Sequence, residues 1–285
     1  MNGGLRKAMA GNSPVVVPLC LDPLMARIAE QAGFELGYVS GGALGYSYAV
    51  SEALLTATEI ADATRRITQR CSIDIIVDIG VGFGDPVHTA RGIWEMQSAG
   101  AAGVEIEDQV APKRVSHHRG IEHLVPTDVM VQKIEAAVAA RSSEDFAIIA
   151  RTGAVKNESY AAAIDRLREY QKAGADLLML MPENDSQIDQ TRGMLNGPLA
   201  AITTMDQLGH DKWKNSGWNL LIDPITAHVA SVRAVVKAYE AFAARGETGL
   251  SGKEVFADYR QLGVRAGLAA FYEIEDNTTE KDAGS

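Results

Sequence analysis

The chain is short of cysteine, has no excess of positive charge and lacks any long apolar run. Each shortage removes a class of function. Cys20 and Cys71 are the only cysteines in 285 residues, and they form no CxxC pair. No disulfide framework is expected, and a reducing cytoplasmic setting suits the pair. Acidic side chains number 37 against 27 basic ones, a formal charge of −10. Nucleic-acid binding needs a basic surface to meet phosphates, so no nucleic-acid partner is expected. An anionic substrate would have to be drawn in by a local cluster of cations. No run approaches the roughly 20 apolar residues that span a bilayer. The opening MNGGLRKAMAGNSP has no apolar signal core, so a soluble protein is expected, with neither membrane nor secretory signal.

Short β-rich runs alternate instead with longer stretches at helical spacing. Strands are predicted at 15–20, 36–41, 73–79, 102–107, 146–151, 176–181, 199–204 and 218–223. Helical patterns lie near 23–32, 57–70, 86–99, 127–141, 159–173, 185–195, 206–214 and 225–244. Each strand is almost wholly apolar, as strands covered on both faces are. Eight such units fit an α/β fold of the (β/α)8 barrel type better than an open doubly wound sheet. The phrases EQAGFELGYVS, QSAGAAGVEIE and QKAGADLLMLM each place a glycine (Gly33, Gly100, Gly174) where a helix closes in the left-handed conformation. The expected organisation is a flexible 1–14, a barrel over 15–245, a helical extension over 246–275 and a disordered tail over 276–285.

In such a barrel the residues just after each strand meet at one mouth. These are Asp22, Ser40 to Gly42, Asp78 to Asp85, Glu107 to His118, Arg151, Glu183 and Asn184, and Thr203 and Thr204. Asp78 and Glu107 both end apolar strands and together suit a hard divalent cation; a turn-capping role for Asp78 is the plainer alternative. Asp85 before Pro86 reads most simply as a helix N-cap. Ser40, Gly41 and Gly42 offer a hydroxyl and free N–H groups to a carboxylate, or form a small-residue turn. Arg151 closes FAIIAR, where a buried guanidinium needs an anion, either a substrate carboxylate or an internal ion pair. Lys113, Arg114, Ser116, His117 and His118 sit on a basic loop. It is long enough to act as a lid, and is otherwise a solvated loop. His88, His123, His210 and His228 show no ligand spacing.

At these residues the sequence resembles the isocitrate lyase/phosphoenolpyruvate mutase superfamily, in the branch of methylisocitrate lyase and oxaloacetate decarboxylase. The resemblance is carried by DPLMARIAEQAGFELGYVSGG at 22–42, LLTATEIADATRRI at 54–67 and IIVDIGVGFGDP at 75–86. It continues through AGAAGVEIEDQVAPKRVSHH at 99–118, LVPTDVMVQKIEAAVAAR at 124–141 and IIARTGA at 148–154. It implies a (β/α)8 barrel whose eighth helix is swapped between subunits of a homo-oligomer, a dimer or tetramer. It also implies Mg2+ (or Mn2+) at the mouth, a small 2-oxo or 2-hydroxy carboxylate substrate and a metal-stabilised enolate. Asp78 and Glu107 then match metal-site acids, Ser40 to Gly42 the carboxylate turn, Arg151 the substrate arginine and Glu183 a mouth glutamate.

The departures from that pattern are specific. Gly80 stands where the family has a second aspartate. Ser51 replaces another acid, with Glu52 beside it. Val115 takes the place of the lid cysteine, Gly153 replaces the aspartate of ARTDA, and Thr203 or Thr204 replaces an asparagine. Valine transfers no proton, so cysteine-dependent cleavage is disfavoured. Ser116 and His117 remain as proton carriers, histidine being better matched near neutral pH. Fewer acids also imply weaker metal binding. The expected function is a carbon–carbon lyase of the decarboxylase or hydrolase kind. The alternatives are a phosphonate mutase or hydrolase on the same scaffold, a carboxylate-binding homologue without catalysis, and chemistry on a larger substrate.

Overall fold

The computed structural model describes residues 3–120, 122–209 and 211–281. Eight strands, all parallel, run in the order β1-β8-β7-β6-β5-β4-β3-β2. They are β1 (Val15–Val17), β2 (Leu36–Val39), β3 (Asp74–Asp78), β4 (Gly103–Glu107), β5 (Ala147–Arg151), β6 (Leu177–Leu180), β7 (Leu199–Ile202) and β8 (Leu220–Ile222). The residues just after β1 return to β2. Cys20 N donates to Tyr38 O at 2.8 Å and Tyr38 N to Pro18 O at 2.9 Å, which brings the ends of the sheet together into a (β/α)8 barrel.

The helices are α1 (Gly4–Ala10), α2 (Pro23–Gln31), α3 (Gly41–Ser47), α4 (Ala57–Thr68), α5 (Pro86–Ser98), α6 (Thr127–Ala140) and α7 (Ala154–Asn157). They continue with α8 (Tyr160–Lys172), α9 (Asp185–Met194), α10 (Met205–Leu208), α11 (Thr226–Arg245), α12 (Gly252–Ala266) and α13 (Ala269–Asn277). Asp22 and Asp85 turn out to be N-caps with proline at the first helical position, accepting from Met25 N and from Val87 N and His88 N. Gly33, Gly100 and Gly174 take φ of 92°, 86° and 99°, as the repeated Ala-Gly phrases required.

Strand parity divides the core. Val104, Ile106, Ile148 and Ala150 face the helices, in one cluster with Ile93, Met130, Ile134 and Leu167. Tyr38, Ile76, Ile149, Met179, Ala200 and Ile222 face the barrel axis in a second cluster. Residues two apart share a face, so Asp78, Glu105, Glu107 and Arg151 continue the inward rows toward the mouth. Register then places Asp78 beside Glu105 and Glu107 beside Arg151.

Three expectations are corrected. Residues before 15 were expected to be flexible, yet α1 buries Leu5 and Met9 in the axial cluster. Its entry is held by Leu5 N donating to Asp74 Oδ2 at 3.0 Å. The helical pattern at 206–214 is broken into α10 and a short 3-10 turn at Asp211–Trp213; His210 lies outside the described residues. The tail expected to be disordered from 276 is helical to Asn277 and described to Lys281.

The chain divides into two compact units after His228. In α11, α12 and α13 no residue is buried. Val235, Tyr239, Phe242, Phe256, Tyr259 and Phe271 are exposed there.

Candidate active site

The mouth is built at the ends of β2, β3, β4 and β5. Asp78 is buried, and both of its oxygens are taken by backbone amides. Gly41 N donates to Oδ2 at 3.1 Å and Gly80 N to Oδ1 at 2.8 Å. The glycines are needed for this approach. A Cβ on Gly41 would stand 3.1 Å from Asp78 Oδ2 and 3.0 Å from Glu52 Oε2, and Gly80 has φ of 54°. Burial pushes the Asp78 carboxyl up, and the nearby Glu52 adds to the effect. Ser40 caps α3, its Oγ accepting from Ala43 N at 3.3 Å. The Ser40-to-Gly42 turn thus faces Asp78, with the Gly41 N–H already committed to it.

Glu107 meets three donors. Arg151 donates to its Oε2, Gln109 Nε2 donates to the same oxygen at 3.1 Å, and Lys113 Nζ is an ion-pair partner 2.5 Å from Oε1. Oε1 has no aligned hydrogen bond beyond that ion pair. Burial pushes the carboxyl up, but the Arg151 and Lys113 charges outweigh it and hold it below the ordinary value. The second carboxylate on Arg151 is Glu105 Oε1 at 2.6 Å, and Tyr38 OH donates to Glu105 Oε2. Burial raises Glu105 to about 7, despite the opposing Arg151 charge. Arg151 therefore makes the internal ion pair that was one of its two readings. Glu105 and Tyr38 were missed by sequence reasoning. The signal was alternation: Glu105 precedes Glu107 by two residues, and Tyr38 precedes Ser40 by two.

The basic loop folds over this cluster. Lys113 pairs with Glu52 as well as Glu107, and its side chain is only 7% exposed. Burial would lower its affinity for a proton, but Glu107 and Glu52 more than reverse this and raise it. His117 Nε2 lies 2.6 Å from Glu52 Oε1 and its Nδ1 2.6 Å from Arg114 O. Both ring nitrogens thus face acceptors, which suits the doubly protonated imidazolium. Partial burial opposes that charge, but the Glu52 and Arg114 contacts prevail and raise the His117 pKa. Glu52 is in turn held down to about 2: burial opposes this, and His117 and Lys113 overcome it. His118 Nδ1 is 3.0 Å from Tyr46 OH and its Nε2 2.9 Å from Ser51 Oγ, so Ser51 serves the loop. The Arg114 side chain is exposed, and Ser116 is half-buried in the Val115–Arg119 turn.

Other expected residues fall elsewhere. Glu183 is exposed and, with Asn184, Thr203 and Lys212, lines a different cleft of about 180 Å³. Thr204 donates to Asp206 Oδ1 at 2.5 Å. His88 pairs with Asp85 at 2.6 Å. Asp108 points away from the mouth. It accepts from Thr152 Oγ1 at 2.6 Å, Tyr170 OH at 2.8 Å and Gly153 N at 3.0 Å, with Arg166 at 3.4 Å, and so ties β4 to β5 and α8.

The donor set does not fit a divalent cation as arranged. Both oxygens of Asp78 accept N–H groups, Glu52 and Glu107 converge on Lys113, and no cluster of three metal-ligating side chains occurs among the described residues. A cavity of about 110 Å³ opens beside the cluster. Gly41, Glu52, Asp78, Gly80 and Lys113 line its polar side, and Leu55, Ile60 and Phe83 its apolar wall. Sites for drug-sized ligands run to roughly 300–1,000 Å³, so this space suits a molecule of a few heavy atoms.

Comparison with known proteins places the chain. Residues 5–245 match the phosphoenolpyruvate phosphomutase family. A 2-methylisocitrate lyase of Aeropyrum pernix is 36% identical over 240 residues, covering 81% of this chain and 76% of that protein. A structure of oxaloacetate acetylhydrolase with 3,3-difluorooxalacetate superposes with a TM-score of 0.87 at 25% identity, covering 98% of each chain. A structure of phosphonopyruvate hydrolase with oxalate and Mg2+ gives a TM-score of 0.80 at 29% identity, covering 94% of this chain and 98% of that one. The chain belongs to the phosphoenolpyruvate phosphomutase family and is an enzyme of the isocitrate lyase/phosphoenolpyruvate mutase superfamily.

Proposed function

We propose that the protein is a carbon–carbon lyase, of the decarboxylase or hydrolase kind, acting on a small 2-oxo or 2-hydroxy carboxylic acid. The observation that carries this is His117, held as an acid by Glu52 and the Arg114 carbonyl, with that same Glu52 lining a small cavity at the barrel mouth. Cleavage next to a carbonyl leaves the bonding pair on carbon as an enolate, which must then receive a proton. His117 is the donor, and Lys113 beside the cavity stabilises the developing negative charge. Arg151 and the Ser40-to-Gly42 turn hold the substrate carboxylate, for which Arg151 must yield part of its contact with Glu105 or Glu107. Val115 does not replace the missing lid cysteine: it is a half-exposed apolar side chain. The test is a screen of oxaloacetate, 2-methylmalates and methylisocitrate, each with and without Mg2+ or Mn2+. Turnover of at least one is expected, and a blank across all of them sinks the lyase reading.

A second reading, phosphonate hydrolysis, is supported by the 29% identity to phosphonopyruvate hydrolase. Phosphorus NMR on phosphonopyruvate separates the two, since only the second releases inorganic phosphate.

A homo-oligomer is part of the same proposal. The exposed aromatic and β-branched side chains of α11 to α13 are more than isolated surface residues, and a second copy is the cover we assign to them. Light scattering of the purified chain should give a dimer or tetramer mass. The absence of a helix long and apolar enough to cross a membrane among the described residues, and two unpaired cysteines, suit the cytoplasm.

A further inference from the structure

We propose that Lys113 is the built-in cation of this mouth, standing where the superfamily's divalent ion would be expected, so that the site binds its acid without a metal. The inference rests on reading this mouth as the active site. Three carboxylates, Glu52, Glu107 and Asp78, are gathered at the mouth, an arrangement that demands a positive charge between them. Lys113 supplies it, its Nζ pairing with Glu52 and lying 2.5 Å from Glu107 Oε1. Asp78 already accepts one backbone N–H on each oxygen, from Gly41 and Gly80.

Gly80 makes the exchange possible. A Cβ there would have one neighbour within 4 Å, Lys113 Cδ at 3.9 Å. The space beside the lysine stem is thus open, and the left-handed φ of 54° favours glycine there, so no second acid stands beside the ammonium. With no aspartate at 80, the mouth acids face Lys113 together with Arg151 on Glu107 and His117 on Glu52, and charge balance is met by the chain's own cations. An ammonium and a divalent ion cannot share this space, since like charges a few ångströms apart repel strongly wherever water is excluded. The cation is also carried by the loop that covers the cavity, so it arrives with the cover rather than from solution.

Mn2+ titration of the chelator-treated protein, followed by electron paramagnetic resonance with no acid present, decides the matter directly. Wild type is expected to bind Mn2+ weakly. Lys113→Met should bind it at least about tenfold more tightly, because Glu52 and Glu107 then lose the ammonium between them. Lys113→Gln, which removes the charge but keeps a polar side chain, should shift in the same direction, which guards against a Lys113→Met variant that fails to fold. Oxalate should bind wild type equally in EDTA and in Mg2+ by calorimetry. Tight Mn2+ binding by wild type, unchanged by Lys113→Met, overturns the inference, as does oxalate binding that needs Mg2+. Metal-free oxalate binding with no turnover of any acid would overturn the lyase reading instead and leave Lys113 in this role.

Discussion

His117 Nε2 and Glu52 Oε1 stand 2.6 Å apart, and the other ring nitrogen is 2.6 Å from a backbone carbonyl, so the ring is held between two acceptors. The acid form is stabilised, and the His117 pKa lies above its ordinary 6.5. Activity that needs the imidazolium is full at lower pH and lost as pH rises through that raised value. Glu52→Gln should move the falling limb of the kcat profile to lower pH. His117→Asn should lower kcat by about 10²–10⁴. A falling limb that stays in place in Glu52→Gln rules His117 out as the titrating acid.

Glu105 is fully buried against Tyr38 and Arg151, and burial lifts it from 4.5 to about 7. A proton bound more tightly in the folded state stabilises it fully below pH 4.5, and that contribution fades as pH rises through about 7. Urea unfolding should lose on the order of 1–3 kcal/mol across this window beyond what other groups contribute. Glu105→Gln should flatten the slope, and identical slopes in the two proteins would refute the assignment.

Arg151 is the shared partner of Glu105 and Glu107. Arg151→Met strands two buried carboxyls, at a cost of about 3–5 kcal/mol. Adding Glu105→Gln removes one of the stranded charges, so the double variant should be more stable than Arg151→Met alone. Chemical denaturation of all three variants checks this, and simple additivity would show that the two residues do not interact.

Glu122 occupies the space beside Gly153. A Cβ on Gly153 would stand 2.6 Å from Glu122 Oε2, which also accepts from Asn157 Nδ2 at 2.7 Å. The backbone there is unstrained, with φ of −88°. Gly153→Asp should destabilise by about 1–3 kcal/mol through crowding and like charge, and Glu122→Ala in the same chain should recover most of it. A fully tolerated Gly153→Asp would mean that Glu122 does not fill this place.

Much of the barrel was legible because its signals are local. Apolar strands, glycine stops at Gly33, Gly100 and Gly174, and the Asp85-Pro86 cap each act within a few residues. Asp78, Glu107 and Arg151 were visible as charges ending apolar runs, and the structure brings them together. Glu105 was hidden inside a strand because a carboxylate flanked by apolar residues declares no partner. Glu183 was drawn to the mouth by topology, yet its side chain stands in another cleft, because a loop residue's direction is not set by the strand before it.

The sequence alone determined the alternation of strands and helices, the position of Asp78 and Glu107 at the ends of apolar strands, and the family motif from Glu107 to His118. Those follow from apolar patterning and from turn chemistry, both properties of neighbouring residues. Only the tertiary structure decided what the charges do. Barrel closure and register set Arg151 between Glu105 and Glu107, and the fold of a loop placed Lys113 against Glu52 and Glu107 across 61 and 6 residues of sequence. Ion pairing depends on distance in space, and no local pattern encodes it.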